Sequence, residues 1–448
     1  MQPDESAAGA ESPSVTHRHA AHRWRWLAPE WVNRNFAIVL VARALMSACR
    51  ALVAVVAPVY LAIEGFGALR LGILFLVIAL AAAVMSALIG TASDRVGRKP
   101  FLVAVPLLAG AAGAVFATTR SVPILFVAAA LGTFGRGAGA GAGAVGPYQP
   151  AEAALVTDGV AAVRRNAAFG RLAFVSSLGA LTGGLLALLV HARHPSAQAA
   201  MAVFRPAFVA SAILATAAGL VALAIREPGG RMAGARPGDR PGRRLRLPRR
   251  SRHLLHRLWA TNTLNGLAVG MFGPFVSYWL FRRFGASAAE IGVLFAVVNV
   301  AAIPSTLSAA PIARRFGLVR TVVSVRTAQA VLLVPLALSP TFTVAGAFYL
   351  VRMAIQRVGM PLRQSYVLAM ADSEERGAVA ALANLPSQMA MAASPALSGY
   401  LFDEVSLTLP FELAAVLQAA NALLYWVFFR KLPPEEEAPA PADRSGAR

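Results

Sequence analysis

Six arginines lie within long apolar runs of this sequence, where charged side chains are rare. A charge at mid-bilayer costs about 2.5–3.5 kcal/mol on insertion scales, so each should face a partner or a polar cavity. Guanidinium groups lining a cavity would favour an anionic or neutral polar solute over a simple organic cation. The alternative is that they bond backbone carbonyls or reach the membrane surface. The six are Arg43, Arg50, Arg136, Arg326, Arg352 and Arg357.

Acidic residues are scarce in the same runs. Glu64 lies at the mouth of the first run and Glu152 at the inner end of the fourth, so we expect no carboxylate deep in any run. If protons are coupled to transport, these two are the candidates, since a relay needs a desolvated carboxylate or histidine. Asn262 and Asn265 add neutral polarity to the seventh run. We expect no catalytic residue, metal site or cofactor, because the seven histidines lie outside the runs and Cys49 is the single cysteine.

The apolar runs themselves indicate helices that cross a membrane. Of 448 residues, 57% are hydrophobic and 14% charged, with a mean hydropathy of +0.60. Soluble domains carry about 25% charged residues, which makes a soluble enzyme a poor interpretation. A spanning helix needs about 20 apolar residues. Twelve runs, numbered here as spans 1–12, meet this need: 35–63, 71–91, 100–118, 122–146, 168–190, 206–225, 258–281, 288–311, 319–338, 341–362, 377–401 and 409–429.

The net charge of +21 is sorted along the chain. Alone it would suggest nucleic acid, but arginine is concentrated between spans 6 and 7 and in loops on the side of the tails. This bias predicts a multi-pass protein of the cell membrane with both termini cytoplasmic, and no nucleic-acid partner. The predicted segments are an N-terminal tail 1–34, a six-helix bundle 35–226, a basic linker 227–257, a second bundle 258–430 and a C-terminal tail 431–448.

The two bundles carry an internal repeat. Gly65 and Gly97 recur as Gly285 and Gly317, at an offset of 220 residues. Two six-helix halves on one plan are typical of alternating-access transporters, whose substrate site lies where the halves meet.

The loop between spans 2 and 3 is the most specific motif. Its Gly-x-x-x-Asp-Arg-x-Gly-Arg-Lys pattern resembles the inner-loop signature of the major facilitator superfamily. The resemblance implies an all-α fold of twelve transmembrane helices in two pseudo-symmetric bundles, with a central cavity lined by helices 1, 4, 7 and 10. It also implies that the loop acts as a conformational latch, which the second half lacks because Arg314 replaces the acid. The motif residues are Gly90, Asp94, Arg95, Gly97, Arg98 and Lys99.

Three further segments resemble the same family. Asp158, Arg165, Asp372 and Arg376 match positions that form salt bridges at the inner gate, although ordinary helix capping with positively charged loops is an equal alternative. Arg136 resembles the helix 4 arginine of proton-coupled members. The glycines of span 5 resemble the pattern of antiporters, whose small residues allow close helix packing. They are Gly170, Gly179, Gly183 and Gly184.

These features predict a secondary active transporter that exports a small organic molecule, with proton antiport as one option. The alternatives are an uptake permease or facilitator for an anionic or neutral polar solute, and a non-transporting membrane sensor or scaffold. The expected partners are a small-molecule substrate, the lipid bilayer and protons, and the expected state is a monomer.

Overall fold

The computed structural model describes residues 32–134, 146–190, 196–227, 252–370 and 382–430, together with Val379. Regular secondary structure in these ranges is entirely helical. The helices follow the predicted spans in order, which confirms the all-α, twelve-span, two-bundle architecture. The bounds in the first half are Arg34–Ile63 (span 1), Ala68–Val96 (span 2), Lys99–Thr118 (span 3), Val122–Gly132 with Gln149–Gly159 (span 4), Arg165–Leu186 (span 5) and Ala197–Leu223 (span 6).

The second half begins at Arg252, inside the predicted linker. A 3-10 turn interrupts span 7, where Pro274 follows Gly273. The bounds are Arg252–Phe272 with Val276–Phe284 (span 7), Ala288–Phe316 (span 8), Leu318–Ala337 (span 9), Phe342–Met370 (span 10), Leu385–Glu404 (span 11) and Leu409–Phe429 (span 12). Nine of the helices in the described ranges are long and apolar enough to cross a membrane, those of all spans except 4, 10 and 11.

Span 4 differs from its prediction of one run over 122–146. Its first helix ends at Gly132, where Thr133 adopts a left-handed conformation with φ 48°. A second helix begins at Gln149 and ends at Gly159, thirteen residues beyond the predicted end. The cause is that hydropathy falls after Gly146 while the chain still continues inside the bundle. Residues 135–145, which include Arg136, lie outside the described residues.

Turn chemistry supports the internal repeat. Gly65 and Gly285 both have positive φ, 87° and 64°, in the turns after spans 1 and 7. Gly97 and Gly317 also share positive φ, 97° and 80°, between spans 2 and 3 and between spans 8 and 9. Residues with side chains rarely adopt such angles. The repeated glycines therefore mark the same two turns in each half.

Helix packing defines the halves and their interface. Within the first half, span 1 packs against spans 5 and 6, and span 3 against span 6; within the second, span 7 packs against span 11, and span 9 against spans 10 and 12. Between the halves, span 2 packs against span 11 and span 5 against span 8. We call the ends of the spans nearest the tails and the linker the linker side, and the opposite ends the far side.

Candidate functional site

The far side is sealed by contacts between the two halves. The hydroxyl of Ser277 in span 7 donates to the carbonyl of Ala54 in span 1 at 2.9 Å. The ring of Phe75 in span 2 meets that of Phe275 in span 7 edge-on, with 5.4 Å between centroids. The carboxylate of Asp403 in span 11 accepts two backbone hydrogen bonds from the start of span 2. Among the described residues, these contacts bring the two halves together at this end.

Small residues let the sealing helices touch. A Cβ on Gly72 would overlap the backbone of Pro395, and one on Gly399 would overlap that of Ala68. In the other interface, a Cβ on Gly184 would lie 2.8 Å from the carbonyl oxygen of Gly292. Substitution at these glycines would force the halves apart on the far side.

At the linker side, the motif between spans 2 and 3 is tied to other parts of the first half. The Arg98 guanidinium pairs with Asp158 at the end of span 4. Glu227, just after span 6, accepts hydrogen bonds from the backbone nitrogens of Arg98 and Lys99 at 2.6 and 2.9 Å. A Cβ on Gly97 would lie 2.5 Å from Glu227. The motif therefore binds a carboxylate that the sequence alone assigns to the linker.

The remaining motif and gate residues are less informative. Gly90 faces open space. Asp94 and Arg95 lie in the last turns of span 2, and Arg165 is exposed at the start of span 5. Asp372 and Arg376 lie outside the described residues. Asp158 pairs inside its own half, so the inner-gate bridges between halves remain a prediction.

The expectation that no carboxylate lies deep in any span is wrong, because Arg43 has a buried acidic partner. Its guanidinium pairs with Glu152, and its Nε donates to Ser176 Oγ at 2.7 Å. Glu152 is only 3% exposed. Span 4 continues to Gly159, so Glu152 lies about 10 Å from the linker-side end of this helix. The sequence alone places it at that end. This cation therefore has a counter-charge within the protein.

Arg50 reaches the other part of span 4. Its guanidinium donates to Thr133 Oγ1 at 2.8 Å, at the residue that ends the first helix of that span. A Cβ on Gly146 would overlap the same guanidinium. Arg43 and Arg50 are seven residues apart, so they share one stripe of span 1 and both contact span 4. The spacing in the sequence predicts that the two arginines share a face of span 1. Nothing in the sequence identifies Thr133 and Ser176 as their hydrogen-bond partners.

In the second half, Arg352 is buried with no acidic partner in the described part of the chain. It is 1% exposed, and its guanidinium carbon lies 4.1 Å from the ring centroid of Phe272. Its Nη1 is 3.9 Å from the sulfur of Met353, and its Nε has no hydrogen-bond acceptor among the described residues. A buried guanidinium held on an aromatic face gains cation–π stabilisation but keeps donors for a further group.

Two other polar residues of the second half form hydrogen bonds between helices. Arg326 donates to Asn421 and lies over the ring of Tyr425, between spans 9 and 12. Asn262 donates to the carbonyl of Ala383 at 2.7 Å, which ties span 7 to span 11. Asn265 and Arg357 are half-buried. Arg326 and Asn262 therefore hold helices of the second half together.

The span 5 glycines divide into packing and open positions. Gly179 and Gly183 approach the carbonyls of Ala44 and Ala48 in span 1 so closely that a Cβ would overlap them. Gly170 is exposed, and a Cβ added to it would meet nothing within 4 Å, so it does not pack against another helix. The contacts support the predicted packing role for Gly179 and Gly183, whereas Gly170 makes no such contact with the described residues.

Both halves of the chain match one known protein family. The family model of the Major Facilitator Superfamily matches residues 39–263 and, separately, 258–447. No curated protein gives a significant sequence match.

Solved structures share the fold at low sequence identity. The nucleoside transporter NupG has a TM-score of 0.67 at 13% identity, covering 89% of this chain and 100% of its own. A bacterial homolog of the human lysosomal transporter Spinster, inward-facing and occupied, has 0.66 at 15%, covering 91% and 98%. The xylose transporter XylE from E. coli, inward open, has 0.63 at 15%, covering 90% and 96%. With two family matches that span both halves, this chain belongs to the major facilitator superfamily and is a membrane transporter that works by alternating access.

Proposed function

We propose that this protein exports a small organic molecule across the cell membrane, as a monomer with both termini in the cytoplasm. The observation that carries the proposal is the set of contacts that holds the halves together on the far side, because an exporter loads substrate from the linker side in that state. An importer passes through the same state when it releases substrate, so the direction is decided by the flux test below. The excess of arginine in the linker-side segments supports a cytoplasmic location for that side. The close glycine contacts of span 5 support the likeness to antiporters.

The test is flux in proteoliposomes of defined orientation. A panel of amphiphilic, anionic and neutral polar compounds is offered on either side, with and without an imposed pH gradient. Export predicts gradient-driven movement from the linker side to the far side. Movement only in the opposite direction would support the uptake alternative, and absence of flux for every class would support a sensor or scaffold.

We propose Glu152 as the proton-carrying group if transport is coupled to protons. It is buried beside Arg43 at the meeting of spans 1, 4 and 5, so its protonation would leave the guanidinium free to reorient. Glu64 is the weaker candidate because it lies at the far end of span 1, where its carboxylate is 3.4 Å from Arg120 Nε. Glu152→Gln should abolish gradient-driven accumulation while downhill exchange persists, and Glu64→Gln should keep both. Accumulation that survives Glu152→Gln would exclude this residue.

The second candidate function is transport of an anionic or neutral polar solute, and Arg352 favours it. The described contacts of this guanidinium are an aromatic ring and a thioether, neither of which offsets a full charge. A solute carboxylate would supply that charge together with strong hydrogen bonds. Arg352→Gln should then raise the KM for anionic solutes at least tenfold and leave neutral ones nearly unchanged. An equal effect on both groups would indicate a structural role for Arg352.

A further inference from the structure

Asp403 makes an unusual contact between the halves. It lies at the far end of span 11, and its two carboxylate oxygens accept hydrogen bonds from the backbone nitrogens of Ala68 and Leu69, each at 2.8 Å. Those nitrogens belong to the first turn of span 2, in the other half. The first turn of a helix has amide groups without partners inside the helix, and a side-chain oxygen normally satisfies them from the residue just before it.

Span 2 cannot supply that oxygen itself. Its N-cap residue is Gly67, which has no side chain to accept a hydrogen bond. A Cβ at Gly67 would lie 2.7 Å from Asp403 Oδ2, so the glycine also makes room for the carboxylate. The negative charge is favourable at this position because the start of a helix carries partial positive charge. The second half therefore provides the cap for a helix of the first half.

The neighbouring backbone contacts make this cap dependent on far-side closure. Gly72 and Gly399 hold spans 2 and 11 in direct contact on the same side of the molecule. Any separation of the halves here would carry Asp403 away from Ala68 and Leu69, since the carboxylate and the two amides lie on opposite halves. The cap and the closed state are thus formed and lost together.

We propose that Asp403 is a far-side latch, a positioning residue that stabilises the far-side-closed state by capping span 2 from the opposite half. The loop motif follows the other end of span 2, and there Glu227 accepts backbone hydrogen bonds at the start of span 3. Carboxylates from other segments therefore cap the first turns of both helices. The proposal rests on alternating access alone and is independent of the substrate or the direction of transport.

The test measures far-side opening directly and requires no substrate. The reporter is Ser398→Cys in a Cys49→Ala background, because Ser398 is fully buried in span 11 near the contact with span 2. Its rate of labelling by a polar maleimide is measured on protein in nanodiscs. An N-cap is worth about 1 kcal/mol, so Asp403→Ala should increase the labelling rate about fivefold. The matched control is Glu404→Ala, which removes the adjacent exposed carboxylate and should leave the rate unchanged.

A second variant separates the latch from a merely structural cap. Gly67→Ser gives span 2 a hydroxyl cap of its own while its Cβ displaces the Asp403 carboxylate. The latch predicts faster labelling here too, although the helix stays capped, and this variant decides the question should Asp403→Ala fail to fold. Labelling at the wild-type rate in Gly67→Ser, or an equal increase in Glu404→Ala, would overturn the proposal.

Discussion

Arg43 is held inside the first half by two side chains, the carboxylate of Glu152 and the hydroxyl of Ser176. Both ions of the pair are nearly excluded from solvent, with side-chain exposures of 10% and 4%. Loss of one partner from a buried pair costs more than the pair contributes, because the remaining charge keeps its desolvation penalty. At the linker side, Arg98 pairs with Asp158, whose side chain is 44% exposed. Water can therefore solvate Arg98 when the carboxylate of Asp158 is removed.

We therefore predict that Glu152→Ala lowers the free energy of unfolding by about 3–5 kcal/mol. Asp158→Ala, the matched control, should lower it by less than about 1 kcal/mol, as for exposed pairs. Denaturant unfolding in detergent micelles measures both values. The double variant Arg43→Met with Glu152→Leu should recover most of the loss. Equal losses for the two single variants would show that Arg43 reaches another counter-charge.

At the scale of elements, the sequence predicts helices better than it predicts their ends and partners. The repeat glycines Gly65, Gly97, Gly285 and Gly317 could be assigned to turns because positive φ leaves few other residue types. The end of span 4 could not, since hydropathy reports contact with lipid whereas Gln149–Gly159 is held by its neighbours in the bundle. That error alone placed Glu152 at a helix end. The role of Asp403 is equally hidden in the sequence, because a cap from the opposite half leaves no local pattern.

The glycines of span 5 give a prediction for this scale. Gly183→Leu should destabilise the protein by about 1–3 kcal/mol or prevent folding, because its side chain would enter the backbone of span 1 at Ala48. Gly170→Leu is the control on the same helix, and it should be neutral or slightly stabilising since its surroundings are open and leucine favours helix. Fluorescence-detected size exclusion after a heat series compares them. Similar thermal midpoints would mean that spans 1 and 5 can separate without cost.

At the scale of the whole molecule, the most extensive contacts between the halves are those between spans 2 and 11 and between spans 5 and 8. Alternating access requires that both separate in the opposite state. The closeness of the second interface depends on Gly184 and Gly292, whose backbones meet. Bulk at either glycine should therefore shift the equilibrium of the entire transporter and not only the local packing.

We predict that Gly292→Leu opens the far side. Its side chain would overlap the carbonyl of Gly184 and the side chain of Ala187, and moving the halves apart relieves that overlap. Labelling of Ser398→Cys, which is buried next to the contact of Gly399 with span 2, should become at least fivefold faster, since rigid halves move as units. Gly346→Leu is the control, because a Cβ at this buried position would meet only the flexible end of Leu294, within the second half. If Gly292→Leu left labelling at Ser398→Cys unchanged, spans 5 and 8 would separate independently of spans 2 and 11, and the two halves would not move as rigid bodies.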